Sequence, residues 1–585
     1  MMPVIETIKA RCRDCYKCLR ECPVKAIKVN KGETEKDLYL TVEEETCVFC
    51  GKCVTVCPQK AKRPSDDTVF AKALLKRGPV IAEVAPSFVA SLPPDVATVF
   101  PALLRKMGFS KVCETAFGAE IVARAHARFF QRNGRKVIAT ACPAVVNLVE
   151  KHYPEAIPYL APVASPMVVM GRYLKSMYPG ARVVFVGPCI AKKDEIRRTE
   201  NADAVDVVLT YREILDWAAG LGIELESLAR EPFDPPVPGR ARLFPAEGGL
   251  LSSARIVEDW MSPRVALVSG MDRCMDALRH FVQGEPGPDL VEMMACPGGC
   301  LAGPAVENDL DLVSRRRKLI EYYQSGGVDV SRDLNDCLET EDAVLELAKT
   351  GFHDRKSRRE EVPEEEIRRI LAITGKVRPE DELNCGACGF PSCREKAKAC
   401  YRGLADPTLC IPFMREKAES MATLVVESVP NGIVVMAEDG CILDLNPAAE
   451  ALFGITRKEA LKQPARSVLG DDLFLKVWTN GEKASHTAGE VNTRFVEITS
   501  FWEPAQRVVV AIFTDRTREH QESEELRRVR EETARRVEQV IDRQMTVVQK
   551  IAGLLGETTA ETRGSLSQLL KLIKEPDEGR ENPSR

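Results

Sequence analysis

Residues 12–23 read CRDCYKCLRECP, and residues 47–58 read CVFCGKCVTVCP. Both stretches have the pattern C-x2-C-x2-C-x3-C-P, so four cysteines and a proline recur at identical spacing. Thiolates on short loops are soft metal ligands, and the repetition indicates two equivalent sites folded as one unit. The two stretches therefore predict a small metal-binding domain over residues 1–65.

In this spacing the fourth cysteine of each run binds the cluster of the other run, which is the arrangement of bacterial two-cluster ferredoxins. We expect a ferredoxin fold with two [4Fe–4S] clusters and with loop N–H groups pointing at the sulfurs. The first cluster would be held by Cys12, Cys15, Cys18 and Cys57, and the second by Cys47, Cys50, Cys53 and Cys22. Zinc is the alternative for four thiolates, but the repeated spacing favours iron–sulfur clusters.

The composition limits the setting of the protein. The chain has 585 residues, of which 21 are cysteines, and a formal net charge of -5. Clustered cysteines indicate metal binding in a reducing compartment rather than disulfides. The charge gives no reason to expect nucleic acid or an anionic membrane as a partner. Without a signal segment or a long uncharged apolar run, the chain is expected to be cytoplasmic.

A second domain is predicted from about residue 79 to residue 350. The apolar runs PVIAEVAP, KVIATACP and RVVFVGPC alternate with helical patterns such as 118–132 and 165–177. This alternation predicts an α/β fold with mostly parallel, buried strands, whose ligands lie beyond the strand ends. Three segments at expected strand ends carry cysteines: ATACPAVV (Cys142), VGPCIAKKDE (Cys189) and MACPGGCLAG (Cys296 and Cys300).

In this order the three segments resemble the cluster-binding signatures of the [FeFe]-hydrogenase catalytic domain, over about residues 79–330. PCIAKKDE and MACPGGC match closely, and the first signature matches in part. The resemblance implies an H-cluster, in which a [4Fe–4S] cubane is bridged by Cys300 to a two-iron subsite with CO, cyanide and azadithiolate. The implied cubane ligands are Cys142, Cys189, Cys296 and Cys300.

The same resemblance implies roles for side chains around the two-iron subsite. Lys192 would donate a hydrogen bond to a cyanide, with Glu195 as the partner of Lys192, and a cation there would offset the burial of an anionic ligand. The alternative for these two residues is a surface i,i+3 ion pair. The glycines of PGG would let the backbone approach the cluster. Ser87, Pro188 and Met294 would line the pocket of the subsite.

The chain departs from the family where protons are carried. Efficient members have two adjacent cysteines in the first signature, one binding the cluster and the other shuttling protons; here Ala141 replaces the shuttle. By resemblance, the remaining relay positions fall at His126, Phe129 and Ala161. Methyl and phenyl groups cannot carry protons, so transfer would use water or His126, unless His126 is an ordinary helix histidine. Slow turnover is therefore expected.

A third iron–sulfur site is predicted within residues 352–420. The charged stretch 352–372 reads as a solvated helical connector, and NCGACGFPSC follows it. The spacing C-x2-C-x4-C-x16-C supplies four more thiols, those of Cys385, Cys388, Cys393 and Cys410. This stretch resembles the small [4Fe–4S] domain of anaerobic redox proteins, with zinc as the alternative on spacing alone.

The C-terminal part resembles a signalling module. Residues 423–516 resemble a PAS domain through SVPNGIVVMAEDGCILDLNPAAEALFG, with a helix over Pro447–Phe453 and a final hairpin. Residues 517–572 predict a signalling or dimerisation helix with a coiled-coil-like apolar stripe. A helix packed on its own domain is the alternative. Residues 573–585 are polar and predict a disordered tail.

The expected protein is multidomain α/β and α+β, and its module order resembles the sensory group of [FeFe]-hydrogenases. It would hold three [4Fe–4S] clusters, an H-cluster and an unknown PAS ligand, activate H2 slowly to protons and electrons, and sense H2 or redox state. Expected partners are a ferredoxin-like electron partner, hydrogenase maturation proteins, a downstream signalling protein and a second copy of the chain. The alternatives are a catalytic ferredoxin-linked hydrogenase and a non-catalytic iron–sulfur regulatory scaffold.

Overall fold

The computed structural model describes residues 3–31, 38–133, 136–256, 264–325, 341–356, 361–469, 484–552 and 560–574. The chain divides into two units, Met1–Phe413 and Met414–Arg585. The predicted disordered tail lies outside the described residues except for its first two positions, which end the last helix.

The two cysteine runs fold as a structural repeat at the start of the first unit. Left-handed residues occupy matching positions, Asp14 and Tyr16 in the first run and Phe49 and Gly51 in the second. A short helix follows each loop, Lys17–Glu21 and Lys52–Thr55. Four strands complete the domain as two antiparallel pairs, β1 (Ile5–Thr7) with β4 (Lys62–Pro64) and β2 (Ile27–Lys31) with β3 (Leu38–Val42). This is the predicted ferredoxin-like fold.

Two parallel sheets form the centre of the first unit. Their strands are β5 (Val80–Val84), β6 (Lys111–Glu114), β7 (Val137–Ile138), β8 (Arg182–Val186), β9 (Val207–Leu209), β10 (Val265–Ser269) and β11 (Leu290–Met294). One sheet has the order β6-β5-β8-β9 and the other β10-β11-β7, with every pairing parallel. Ile81 of β5 packs in one core, and Val80 and Val84 pack in another on the opposite face. The prediction of parallel strands buried on both faces is confirmed.

Helices surround these sheets. They are Thr68–Leu75, Phe88–Ser91, Pro94–Lys106, Ala116–Asn133, Pro143–His152, Pro166–Met177, Ala191–Glu195, Tyr211–Gly220, Gly249–Ser253, Met271–Gln283, Leu312–Ser325 and Glu341–Ala348. Prolines at the first helical position begin the helices at Pro143 and Pro166, where a missing N–H removes no helical hydrogen bond. A Cβ on Gly118 would lie 2.5 Å from the carbonyl oxygen of Pro166, so glycine permits two helices to pack closely.

The third cysteine set belongs to a small helical module at the end of the first unit. Its helices are Glu364–Ala372, Cys393–Tyr401 and the start of Ile411–Ser428. The predicted helical connector is helical only in its second part, because Pro363 caps the helix from outside and residues 352–356 form no regular structure. Ile367, Leu371 and Ala397 form the small core of the module.

The second unit contains one antiparallel sheet of five strands in the order β13-β12-β16-β15-β14. The strands are β12 (Gly432–Ala437), β13 (Ile442–Leu445), β14 (Ala484–Val491), β15 (Arg494–Glu503) and β16 (Val508–Asp515). Helices Pro447–Phe453, Arg457–Ala460 and Ala465–Leu469 follow β13. Asn446 caps the first of these, its Oδ1 accepting from the Ala449 N–H at 3.0 Å. The predicted PAS fold is confirmed.

The predicted C-terminal helix is present as two described helices, Thr517–Ala552 and Ala560–Lys574, which pack against each other. Along the first, apolar side chains are at least half exposed at Leu526, Val529, Val540, Val547 and Ile551. None of the described helices combines the length and hydrophobicity needed to cross a membrane.

Candidate active site and iron–sulfur centres

One cavity in the first unit brings together the four cysteines expected to hold the cubane. Cys142 follows β7 and caps the helix Pro143–His152, Cys189 follows β8, and Cys296 and Cys300 follow β11. All four line the same cavity. Strands of both parallel sheets thus end at this cavity and place thiols from distant parts of the sequence around one space.

The turn between Cys296 and Cys300 depends on its glycines to fit against the rest of the domain, and their predicted role in approaching the cluster stays a prediction. Gly298 and Gly299 have φ of +86° and +78°, a region that favours glycine. A Cβ on Gly299 would clash with the carbonyl oxygen of Pro245, which belongs to the wall behind the turn. The glycines therefore seat the loop against its own domain.

The thiols fit a polynuclear metal group by their chemistry. Burial, followed by the charges of neighbouring thiols, raises the pKa of Cys189 to about 11 and that of Cys300 to about 12. The accessible surface of Cys300 faces the interior of the cavity, deep in the domain. Thiolates crowded in such a place need a metal cation to remain deprotonated together. Among the described residues, no three His, Cys, Asp or Glu side chains are arranged around a single ion.

Lys192 and Glu195 form a buried pair rather than a surface one. The Lys192 Nζ lies 3.2 Å from Glu195 Oε2 and 3.2 Å from Ser165 Oγ, and the two charged side chains are only 12% and 8% exposed. Burial acts to lower the pKa of Lys192, but the charges of Glu195 and Cys189 outweigh it and the pKa lies above its usual range. Lys192 also lines the cavity, so a charged donor faces the space beside the thiols.

The expected lining residues reach the same cavity. Ser87, Pro188, Met294 and Ala141 all line it. The Ser87 hydroxyl is buried, 3.2 Å from the Tyr211 hydroxyl. Ala141 presents a methyl group, so the position expected to have lost the relay thiol does face the cavity.

His126 does not belong to the described lining of this cavity. It is fully buried, its Nδ1 lies 2.9 Å from the Val122 carbonyl oxygen, and the Thr140 N–H donates to its Nε2 at 3.2 Å. Burial lowers the pKa of His126 to about 4. Both ring nitrogens thus have backbone partners, as in an ordinary helix histidine. Of the other relay positions, Phe129 is half-buried, and Ala161 is buried with its carbonyl accepting from the Thr140 hydroxyl.

A carboxylic acid that sequence reasoning missed also lines the cavity. Glu292 in β11 is 4% exposed, and its Oε2 accepts from the Leu251 N–H at 3.2 Å. Its Oε1 has no hydrogen-bond partner within the described part of the chain. Burial raises the pKa of Glu292 to about 7, a value suited to proton exchange near neutrality. The signal in the sequence is one acidic residue inside the apolar run LVEMMA.

In the ferredoxin-like domain, cysteines of the two runs are neighbours of one another. The thiols whose charges act on Cys18 are Cys12, Cys57 and Cys15, and those acting on Cys47 are Cys53, Cys22 and Cys50. The Ala26 N–H donates to Cys22 Sγ and the Ala61 N–H donates to Cys57 Sγ, both at 3.3 Å. Equivalent backbone donors thus serve the fourth sulfur of each run.

Lys62 lies between the two ferredoxin-like sets. Its side chain is buried, and its Nζ donates to Thr7 Oγ1 at 2.7 Å. Burial lowers the pKa of Lys62, while the charges of Cys18 and Cys53, one from each set, act in the opposite direction. A buried ammonium group therefore lies within reach of both sets of thiols.

The ferredoxin-like domain also forms part of the cavity wall. Phe49 and Cys50 line the cavity together with the hydrogenase-like cysteines. A Cβ on Gly51 would lie 2.5 Å from Cβ of Pro304, so the two domains approach closely at this turn. Cys50 of the second predicted centre is consequently a neighbour of the cubane thiols.

The third set of thiols lines a pocket of its own. Cys385, Cys388, Cys393 and Cys410 all border it. The buried Lys376 donates from Nζ to Cys410 Sγ at 3.4 Å, and Asn384 Oδ1 accepts from the Cys393 N–H at 2.8 Å. Four thiols around one small pocket with a cationic donor fit an iron–sulfur cluster.

Comparisons with known families agree with this architecture. Residues 78–304 match the C-terminal domain of the iron only hydrogenase large subunit, and residues 11–61 match a 4Fe-4S dicluster domain. Residues 381–412 match a putative Fe-S cluster family, and residues 421–510 match the PAS fold. The first unit therefore contains a domain similar to the iron only hydrogenases. More particularly, the protein is [FeFe]-hydrogenase-like over this domain and carries a PAS domain.

Individual relatives are distant. A 316-residue stretch is 26% identical to the NADP-reducing hydrogenase subunit HndD of Solidesulfovibrio fructosivorans, covering 42% of this chain and 54% of HndD. A 291-residue stretch is 26% identical to the cytosolic Fe-S cluster assembly factor NAR1 of Eremothecium gossypii, covering 37% of this chain and 63% of NAR1. The solved [FeFe]-hydrogenase HydA(deltaEFG) is 19% identical, with a TM-score of 0.41 over 50% of this chain and all of that one. The chain spans about half the length of the first hydrogenase relatives it matches.

Proposed function

We propose that this protein binds H2, activates it slowly to protons and electrons, and reports H2 or redox state through its PAS domain. One observation carries the proposal. Four thiols and a charged lysine meet in one cavity, whereas Ala141 presents only a methyl group where efficient relatives place a proton-carrying thiol. On this proposal, the cavity has the thiols and the lysine that would hold the H-cluster, but it has no thiol at position 141 that could carry protons away quickly.

Cys142, Cys189, Cys296 and Cys300 would hold the cubane of the H-cluster, and Cys300 would also bridge to the two-iron subsite. When bound, this group supplies heterolytic cleavage of H2, with iron as the acid and the azadithiolate amine as the base. The cavity is otherwise largely apolar, with Ser87, Pro188 and Met294 on its walls. Such walls exclude water and strengthen every electrostatic interaction inside.

Lys192 would donate its hydrogen bond to a cyanide of the subsite. Glu195 and Ser165 hold the ammonium group in place, and the charge of Glu195 favours its charged form, so that the donor would be oriented toward the cavity. A positioned cation offsets the cost of burying an anionic ligand. Glu195 is in this view a positioning residue that acts through Lys192.

Protons would leave the cavity through Glu292 rather than through position 141. The unpartnered Oε1 of Glu292 can take a proton arriving from the cavity, and a pKa of about 7 allows it to be released again. Glu247 is exposed and its charge acts on Glu292, which gives the next carboxylate toward solvent. Because burial disfavours the charged form of Glu292, proton transfer through this one buried carboxylic acid would be slower than transfer through several such groups.

Electrons would pass from the cavity to the ferredoxin-like domain, because Cys50 lies beside the cubane thiols. A ferredoxin-like protein would exchange electrons with the ferredoxin-like domain, and maturation proteins would insert the two-iron subsite. We further propose a cytoplasmic, anoxic setting, a downstream signalling partner, an unidentified PAS ligand and a homodimer formed by the PAS domain and the helix Thr517–Ala552. The sensory role rests on the appended PAS domain and on the missing relay thiol.

A second candidate is a non-catalytic iron–sulfur scaffold that never receives the two-iron subsite. The observation favouring it is the similarity to NAR1, a cytosolic Fe-S cluster assembly factor. In that case the four cavity thiols would hold the cubane alone. The third candidate is a catalytic ferredoxin-linked hydrogenase, in which protons would leave the cavity efficiently by another path.

The infrared spectrum of the full-length protein separates these candidates. After co-expression with hydrogenase maturation proteins, the stretching bands of CO and cyanide should be present, and they should be missing from protein expressed alone. A protein with its full load of iron–sulfur clusters but no such bands would contradict the proposal and favour the scaffold. A high rate of H2 evolution with reduced ferredoxin would instead favour the catalytic hydrogenase.

A further inference from the structure

We propose that residues 381–412, here called the Cys385 module, are a built-in electron partner of the ferredoxin-like domain, docked on its helix Lys17–Glu21. This inference rests on the proposed function for its source of electrons, namely H2. It extends that function by giving the electrons a destination inside the same chain.

Apolar packing joins the two parts. Phe390 and Leu404 of the module are 5% and 4% exposed, and they belong to the same core as Leu19 and Ile27 of the ferredoxin-like domain. The Val29 N–H, on β2, donates to the Leu404 carbonyl oxygen at 3.3 Å. Buried side chains and a backbone hydrogen bond across the boundary describe a fixed interface rather than a flexible tether.

The backbones approach most closely next to the predicted ligands. Gly389 has a φ of +89°, and a Cβ there would lie 2.8 Å from Cα of Arg20. Gly389 directly follows Cys388, and Arg20 stands between Cys18 and Cys22, which belong to the two predicted ferredoxin-like sets. The contact therefore brings the third ligand set next to the other two.

A lysine lies between the ligand sets on this side as well. Lys25 donates from Nζ to the Arg20 carbonyl oxygen at 2.9 Å. Burial lowers the pKa of Lys25, and the charges of Cys22, Asp272 and Cys388 act against that change. Lys25 thus interacts electrostatically with both Cys22 and Cys388. Lys62 interacts in the same way with Cys18 and Cys53. A cation between two anionic centres weakens their mutual repulsion when either gains an electron.

The step that this arrangement supports is a transfer of one electron between two iron–sulfur centres. The donor centre is oxidised by one electron and the acceptor centre is reduced by one, with no bond made or broken and no proton required. Cys410 of the acceptor set directly precedes the helix Ile411–Ser428. The reduced centre would consequently be attached to the segment that leads along the chain to the PAS domain.

Electron paramagnetic resonance on the full-length protein tests the docking without H2. The protein is loaded with iron–sulfur clusters, without the two-iron subsite, and reduced with dithionite. Wild-type protein should show spin–spin broadening of the Cys385 centre, whose own signal is identified by its loss in Cys388→Ser. Gly389→Ala should lose the broadening, because its Cβ would clash with the backbone of Arg20 and push the two parts of the chain apart.

Gly403→Ala is the matched control. Gly403 belongs to the same module and also has a positive φ, +68°, but a Cβ there meets nothing within 4 Å. Gly403→Ala should therefore keep the broadening. Equal broadening in Gly389→Ala and Gly403→Ala at full iron content, or none in the wild type, would overturn the proposal.

If Gly389→Ala fails to hold iron, hydrogen exchange of the wild type decides. Slow exchange at the Val29 amide supports docking, and exchange as fast as at an open strand edge contradicts it. Reduction under H2 is a separate experiment, on protein co-expressed with the maturation proteins and shown by its CO and cyanide bands to carry the two-iron subsite. A coupled Cys385 centre that dithionite reduces but H2 does not would leave this inference standing and would count against the proposed function.

Discussion

Ala141 and Glu292 face the same cavity, and under the proposed function they would determine how protons leave it. The methyl group of Ala141 carries no proton, and Glu292 holds one in a place where its charged form is poorly solvated. Lys192 in the same wall stays charged because Glu195 and Ser165 surround its ammonium group. At the scale of single residues, the cavity therefore has a charged lysine held by two partners, and under the proposed function it would exchange protons through Glu292 alone.

Ala141→Cys should raise turnover, because it restores a titratable thiol on the cavity wall. General acid–base groups contribute roughly 10² to 10⁴ in rate, so a rise of about tenfold or more is expected. The measurement is exchange between H2 and D2O by mass spectrometry. Ala144→Cys, which adds a thiol elsewhere on the same wall, is the control and should change little. Unchanged exchange in a fully loaded Ala141→Cys protein would show that the thiol does not limit the rate.

Glu292→Gln should slow the same exchange by about 10²-fold, because the amide cannot accept and release a proton near neutral pH. Glu83→Gln provides a matched control. Glu83 is fully buried and also has an unpartnered oxygen among the described residues, but it does not line the cavity. A similar loss in both variants would mean that the effect is structural.

Stability should also depend on Glu292 as pH changes. Its folded-state pKa of about 7 lies above the usual carboxyl value, so the folded chain retains the proton longer than the unfolded chain. Its contribution to stability is complete at low pH and is lost as pH rises through about 7. The free energy of unfolding of Glu292→Gln should therefore rise relative to that of the wild type between about pH 5 and about pH 8, by about 2 kcal/mol, as measured by denaturant unfolding at a series of pH values. A constant difference across this range would contradict the assigned pKa.

At the scale of elements, ligands are delivered by strand ends and by turns with left-handed residues. β7, β8 and β11 bring their cysteines to one cavity, and the Gly298–Gly299 turn holds Cys296 and Cys300 against Pro245. In the ferredoxin-like repeat, residues with positive φ recur at matching positions of both runs. Backbone conformation thus helps to position the thiols of these two parts of the chain.

Gly299→Ala should remove the iron of the cavity while sparing the other centres, because its Cβ would clash with the Pro245 carbonyl. Gly248→Ala is the control, since Gly248 has a similar φ of +76° but its Cβ would make only an ordinary contact of 3.4 Å with Leu267. Iron analysis and the spectrum of the cubane measure the effect. Full iron content in Gly299→Ala would show that the turn can shift without losing its ligands.

At the scale of the whole molecule, the sequence was most informative where chemistry is encoded locally. The spacing of Cys12 to Cys22 and of Cys47 to Cys57 predicts a ferredoxin fold, because such ligation depends on short loops. Alternating patterns likewise predicted the parallel sheets and the PAS strands. The burial of Lys192 and the isolated oxygen of Glu292 depend on packing between distant segments, which spacing does not encode. The roles of the candidate site residues stay predictions.

The second unit offers a test of assembly. Leu526, Thr533, Val540 and Val547 recur every seven residues on the helix Thr517–Ala552, and the apolar members are at least half exposed. Such a seam pairs with a second copy in a coiled coil. Val540→Glu should therefore shift the full-length protein toward monomer in analytical ultracentrifugation. Arg535→Gln, which changes the net charge equally on another face, should not. A monomeric wild type would refute the homodimer.

The turn at Phe49, Cys50 and Gly51 has a consequence for the evolution of the chain. Because this turn forms part of the cavity wall and lies against Pro304, the ferredoxin-like domain is a structural part of the cavity. A chain beginning near residue 79 would lack this part of the wall. Substitutions in the turn and at Pro304 are therefore expected to depend on one another.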